Sequence, residues 1–253
     1  MKVITIANQK GGAGKTTTTI ELASTIKNMG KRVLVIDFDQ QKNLSKYCGA
    51  DMNAKTIYDA LHAKCTINEA IQHVDAFDVI IATDSLSKAD KEFVDLEDIY
   101  LLSDLIEIVS NQYDYVLVDN SPARNILLTM AYVAADYVII PTECDDGSLD
   151  GIMAIAEDIR KLRDGRTQSS HAEILGIVLT KKENTIMHAD ALDSISAISD
   201  TISENPFIMS VRKSIIVSEC KKLKMPINEY EAKSNPAEDY RAIAKEIISR
   251  IGE

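Results

Sequence analysis

No stretch of this chain is long and apolar enough to cross a bilayer as a helix, which excludes a helical membrane-spanning role. Nothing at the start reads as a signal peptide, because an apolar strand-like run begins at once at Val3; the expectation is a cytoplasmic protein. Cysteine is sparse and scattered. Cys48, Cys65, Cys144 and Cys220 form no Cys-x-x-Cys pair, so neither a metal knuckle nor a disulfide framework is indicated. His62, His73, His171 and His188 are too dispersed to read as a metal site. A basic excess is also missing. The formal charge of −11 suits solubility and argues against a uniformly basic nucleic-acid binder, while leaving room for a local basic patch.

What is present is enough for one large core. With 253 residues and 45% hydrophobic content, the chain can fold as a single domain spanning residues 1–253. Apolar runs rich in β-branched residues alternate with helical spacing. That alternation predicts an α/β fold, a mostly parallel twisted sheet with helices on both faces. Strands are expected at Val3–Ala7, Arg32–Ile36, Asp78–Ala82, Tyr115–Asp119, Tyr137–Ile140 and Glu173–Thr180. Helices are expected from Lys15, over 96–109, over 148–162 and at the end of the chain, with short amphipathic pieces at 57–61 and 67–71.

The densest chemistry lies between the first strand and the first helix, in Gln9-Lys10-Gly11-Gly12-Ala13-Gly14-Lys15-Thr16-Thr17. Three glycines let the backbone approach a phosphate chain closely. Their amides, with a helix N-terminus behind them, direct partial positive charge at it. In such a loop Lys15 reaches the β and γ phosphates and the Thr16 hydroxyl ligates magnesium. The common P-loop pattern would need a glycine at Gln9, so the match is to a variant in which a lysine directly precedes two glycines.

That variant resembles the deviant Walker A motif of the ParA/MinD family of P-loop ATPases, which position plasmids, chromosomes and other cargo. The resemblance implies nucleotide contacts from Lys10, Gly11, Gly12, Ala13, Gly14, Lys15, Thr16 and Thr17, with ATP and Mg2+ as the bound pair. It further implies that Lys10 crosses to a partner subunit's nucleotide, so that ATP joins a homodimer. The plainer reading of Lys10 is an exposed lysine at a strand end. Asp37-Phe38-Asp39 follows the second strand and resembles the family's Asp-x-Asp, in which the second aspartate, here Asp39, orients the attacking water. Gln40 replaces the family's proline, and simple turn chemistry is the alternative for both acids. Asp119 ends a strand that resembles the family's Walker B element, with the Pro122 loop after it sensing the γ-phosphate. Thr16, Asp37 and Asp119 are the implied magnesium set, and the base is expected near Thr180 and Val211.

Similarity continues to the end of the chain. Ser218-Glu219, Pro226-Ile227, Tyr230, Lys233-Ser234 and Tyr240-Arg241-Ala242 match the family's C-terminal run, although Ile216 stands where an arginine is common. In DNA-partitioning members this region binds DNA without sequence preference. Here Arg212, Lys213, Lys221, Lys222 and Lys224 cluster with only Glu219 opposed to them along the sequence. An ordinary solvated face is the other reading. The last helix is expected to be capped by Asn235, with Pro236 in its first turn. Its Arg241, Lys245 and Arg250 are balanced by Asp239, Glu246 and Glu253, so no stable membrane association is expected.

The resemblance therefore implies an ATPase that is slow and stimulated by a partner. It would dimerise on ATP, bind DNA nonspecifically on the nucleoid and segregate plasmid or chromosomal DNA with a ParB-like centromere-binding protein. The family's short form, without a preceding helix-turn-helix, is the expectation. A MinD-like membrane-associated positioning ATPase and a metabolic ATPase of the same P-loop class are the alternatives.

Overall fold

A computed structural model describes residues 1–145 and 147–252; Glu253, counted above among the acids of the last helix, lies outside them. The chain begins with β1 (Lys2–Ile6), α1 (Lys15–Asn28), β2 (Val33–Phe38) and α2 (Asn43–Tyr47). Next come α3 (Ile57–Leu61), α4 (Ile67–Ala70), β3 (Ile71–His73), β4 (Asp78–Ile80), α5 (Ala89–Glu92) and α6 (Leu101–Ile108). The middle holds β5 (Tyr115–Asn120), α7 (Ile126–Ala134), β6 (Tyr137–Thr142), α8 (Ser148–Asp164) and β7 (Glu173–Lys182). It closes with α9 (Ile186–Ile202), β8 (Phe207–Arg212), α10 (Ile216–Leu223), α11 (Ile227–Tyr230) and α12 (Asn235–Ile251).

The eight strands form one sheet in the order β3-β4-β2-β5-β1-β6-β7-β8. All neighbours run parallel except β3, which lies antiparallel to β4. Strand β5 sits centrally, and every residue of it is buried. Its side chains alternate between two cores: Tyr115 and Leu117 pack with α1 and α12, while Val116 and Val118 pack with α6 and α7. Burial on both faces is why these strands read as continuous apolar runs rather than alternating ones. A third cluster joins α7, α8 and α9 around Val138, Ile140 and Ile177. The parallel order brings the C-terminal ends of β1, β2 and β5 to one edge, with Asp37 in register with Asp119.

Several element assignments shift for physical reasons. The cap of α12 is Ser234 rather than Asn235; its side chain accepts the Ala237 amide, and Pro236 still falls in the first turn. The stretch 67–71 splits into α4 and the start of the edge strand β3, three residues whose pairing no periodicity could reveal. Helix α7 has no amphipathic spacing because it is apolar all round and buried on nearly every side. Helix α9 buries only Ile195, so its apolar stripe is weak. Strand β8 is a half-buried edge, interrupted by Ser210.

The face Tyr240, Ile243, Ala244, Ile247 and Ile251 of α12 is buried against the domain. No helix among the described residues is long and apolar enough to cross a membrane.

Candidate nucleotide-binding site

The loop between β1 and α1 closes on itself before any ligand is considered. Asn8 ties it down: its amide Nδ2 donates to the Pro141 carbonyl at 2.7 Å, and its Oδ1 accepts the Lys10 amide at 2.8 Å. Gly12 and Gly14 adopt φ of 81° and 93°, the left-handed region that glycine enters without cost. At Gly14 a Cβ would also stand 3.0 Å from Thr180 Cγ2. Thr180 Oγ1 lies 3.1 Å from the Ala13 carbonyl, so the far wall of the loop rests on β7. Nothing lies within 4 Å of the Cβ positions of Gly11 and Gly12, which face open space.

Three strand ends deliver the charged groups to this loop. Lys15 is 7% exposed, and its Nζ donates to the Lys10 carbonyl at 3.1 Å. Burial pulls its pKa down, while Asp119 and Asp39 act in the opposite direction. Thr16 Oγ1 donates to Asp119 Oδ2 at 2.7 Å, and Thr19 Oγ1 approaches Asp119 Oδ1 at 3.3 Å. Asp119 is fully buried; burial first, then the charge of Asp37, pushes its pKa up to about 8. Asp37 is pushed up to about 6, mainly by burial, although three hydrogen bonds pull it back. A cluster of buried carboxylates facing one buried lysine is short of positive charge.

Oxygen donors gathered in this way suit magnesium, a hard cation that retains water and phosphate ligands. No group of three or more His, Cys, Asp or Glu able to cage a metal occurs among the described residues. A cation in this cleft would draw on Thr16 and Asp119 together with phosphate oxygens. Asp37 is differently employed. Its Oδ2 accepts both the amide and the hydroxyl of Ser45, at 2.9 and 2.6 Å, and its Oδ1 accepts the Asp39 amide at 3.2 Å. It pins α2 and the loop carrying Asp39. Asp39 itself, 6% exposed, accepts the Gln41 amide at 2.9 Å and lines the cleft with Gly11, Gly12, Lys15 and Thr16.

That cleft has a volume of about 290 Å³ and includes Thr17, Pro122 and Lys221 in its walls. A second cavity of about 440 Å³ shares Gly14 and Thr17 with it and reaches Thr180, Val211, Val217 and Tyr240. The first holds the charged groups of the glycine loop, and the second is lined largely by apolar atoms. Lys10, 45% exposed at its side chain, is ion-paired with Asp145 of its own chain.

A family model described as an AAA domain matches residues 1–174. The chromosome-partitioning ATPase Soj of Treponema pallidum is 30% identical over 256 residues, covering 100% of this chain and 99% of the relative. The chromosome partitioning protein ParA of Caulobacter vibrioides is 33% identical over 259 residues, covering 99% and 95% respectively. The chain belongs to the ParA/Soj family of partition ATPases. Among solved structures, the ATP complex of a McdA variant from Cyanothece superimposes with a TM-score of 0.87 at 22% identity, covering 98% of this chain and 96% of that one, a likeness of fold.

The ParA-type basic window is less open than it reads along the sequence. Arg212 makes a forked pair with Asp239, from Nη2 at 2.7 Å and Nε at 2.9 Å, and reaches Glu238 as well. Lys213 pairs with Glu183 at 3.0 Å. Lys221 lines the glycine-loop cleft, and Lys222 and Lys224 are exposed. Glu219 is therefore not the sole opposing charge, since Glu183, Glu238 and Asp239 come from other elements. Sequence reasoning missed Asn8, Thr19, Ser45 and Asp145, and named Thr180 only as lying near the base. Of those missed, only Thr19, one helical turn beyond Lys15, carried a local signal.

Proposed function

We propose that this ParA-family chain binds ATP with magnesium, hydrolyses it slowly, and pairs with a second copy while the triphosphate is intact. In the paired form it binds DNA without sequence preference and, with a ParB-like centromere-binding protein, segregates plasmid or chromosomal DNA. The observation that carries the reading is the meeting of Lys15, Thr16, Asp39 and Asp119, from three strand ends, at one glycine loop. Thr16 and Asp119 would hold magnesium, which supplies charge neutralisation at the β and γ phosphates when bound. Asp39 orients the attacking water, and Lys15 stabilises charge that develops as the bond to the leaving oxygen breaks. Charge-assisted hydrogen bonds of this kind contribute roughly 1.5–3 kcal/mol each.

Lys10 is the residue that extends the site beyond one chain. Its pairing with Asp145 is exposed and costs little to break, so an approaching triphosphate on a second copy competes for it directly. The discriminating experiment is DNA retention measured with ATP, ADP and no nucleotide. Retention only with ATP supports the reading. ATP turnover that depends on a small organic acid and ignores DNA contradicts it.

A further inference from the structure

The cleft between α7 and α8 contains a set of groups that the nucleotide site does not use. It has a volume of about 380 Å³ and is walled by Arg124, Asn125, Leu128, Tyr132, Lys161 and Leu162, among others. Tyr132 is 2% exposed, and its hydroxyl is buried with no hydrogen-bond partner among the described residues. A buried hydroxyl left unpaired is costly, and such groups normally find a partner. Tyr132 lines this cleft together with Arg124 and Asp158, and burial, then the charge of Asp158, pushes its pKa up, with Arg124 opposing.

The ion pair itself is fully engaged on one side. Arg124 Nε donates to Asp158 Oδ2 at 3.0 Å and Nη2 to Oδ1 at 2.8 Å. Gln9 Nε2 donates to the same Asp158 Oδ2 at 3.2 Å. Asp158 thus accepts Arg124 at both oxygens and Gln9 at one, and makes no hydrogen bond to Tyr132. The Arg124 side chain is 54% exposed, so a solute can reach its guanidinium. Lys161 adds a second cation, 68% exposed and only loosely paired with Glu157 at 3.6 Å. Leu128 and Leu162 supply apolar wall beside them.

We propose that this cleft binds a small organic anion, a carboxylate or phosphate on a short apolar body, which takes Arg124 from Asp158. A guanidinium fork accepts either anion in two-point fashion. Once displaced, Asp158 turns to accept the Tyr132 hydroxyl, so the orphaned oxygen gains a partner in the occupied state. Gln9 directly precedes Lys10, so the same displacement alters what holds the start of the glycine loop.

The test is isothermal titration of the full chain with hexanoate and with hexyl phosphate; the tighter of the two identifies the headgroup. Arms in Lys15→Ala separate this cleft from the glycine loop, which also attracts phosphate. We expect binding of one probe in both the wild type and Lys15→Ala. Affinity should be about tenfold or more weaker in Arg124→Ala, intermediate in Arg124→Lys, and several-fold weaker in Tyr132→Phe. Tyr132→Phe removes only the orphaned oxygen and should melt no lower than the wild type, which separates a lost contact from a lost fold. No heat from either probe at about 10 mM, binding that vanishes only in Lys15→Ala, or wild-type affinity in Arg124→Ala or in Tyr132→Phe would each overturn the proposal.

Discussion

Two lysine-rich regions of this molecule look alike in sequence and differ in structure. At the glycine loop, Lys15 is buried among carboxylates from the ends of β2 and β5, and its backbone frame is held by Asn8 and Thr180. In the C-terminal window, Arg212 and Lys213 are spent on acids from α12 and the loop after β7, while Lys222 and Lys224 are exposed. The first region concentrates unbalanced charge around a cavity; the second has two of its cations paired and spreads others over a surface. Position along the chain distinguishes neither case, because the opposing acids are remote in sequence. What separates them is the sheet edge, where parallel strands must deposit their last residues side by side.

Gly14 is the most sensitive position of the glycine loop. A side chain there meets both a left-handed φ and Thr180 at 3.0 Å. Gly14→Val should abolish measurable nucleotide binding, a loss of at least ~3 kcal/mol, in a titration with ADP. By contrast, no single change in the C-terminal window should affect ADP affinity comparably.

The two regions are joined through Glu21, buried on α1, whose carboxylate accepts the Ile227 amide at the start of α11. Burial, with the charge of Glu229 adding, pushes its pKa up to about 8. The folded chain therefore holds a proton that the unfolded chain releases above the ordinary carboxylate range. Stability is highest below that range and is lost as pH rises through about 8. Glu21→Gln should remove roughly 2–3 kcal/mol of this fall, read from urea midpoints at about pH 5 and 9.

Arg212 sharpens the contrast at smaller scale. Its fork to Asp239 is partly exposed, so Arg212→Ala should cost ~1 kcal/mol of stability in urea and leave the salt dependence of DNA retention unchanged. Replacing Lys222 and Lys224 by Ala should leave stability alone and flatten the log–log salt slope by about 1.8 per protomer. The smallest effect is at Asp145. Asp145→Asn frees Lys10 from a surface pair and should tighten ATP-dependent association only about two- to fivefold, by analytical ultracentrifugation.

Much of this site was legible because its signals are local. The strand before the loop, the glycines and the helix after it all lie within residues 2–28, and Asp39 and Asp119 each end an apolar run. Asp37 illustrates where local signals stop: the spacing places it at the sheet edge, but only the fold reveals Ser45 occupying one carboxylate oxygen. The parallel sheet was legible from alternation, whereas α7 and β3 were not. One lacks a polar face, and the other is too short to show a period. The neutralisation of Arg212 depended on Asp239, twenty-seven residues away, which no window of charge could include.

The account turns on whether two copies share one triphosphate through Lys10. Light scattering of the wild type and Lys10→Ala, each with ATP, ADP and no nucleotide, tests this directly. A dimer that appears in the wild type only with ATP, and a Lys10→Ala variant that binds ATP yet stays monomeric, is the predicted result. An ATP-induced dimer of Lys10→Ala as tight as that of the wild type would contradict it.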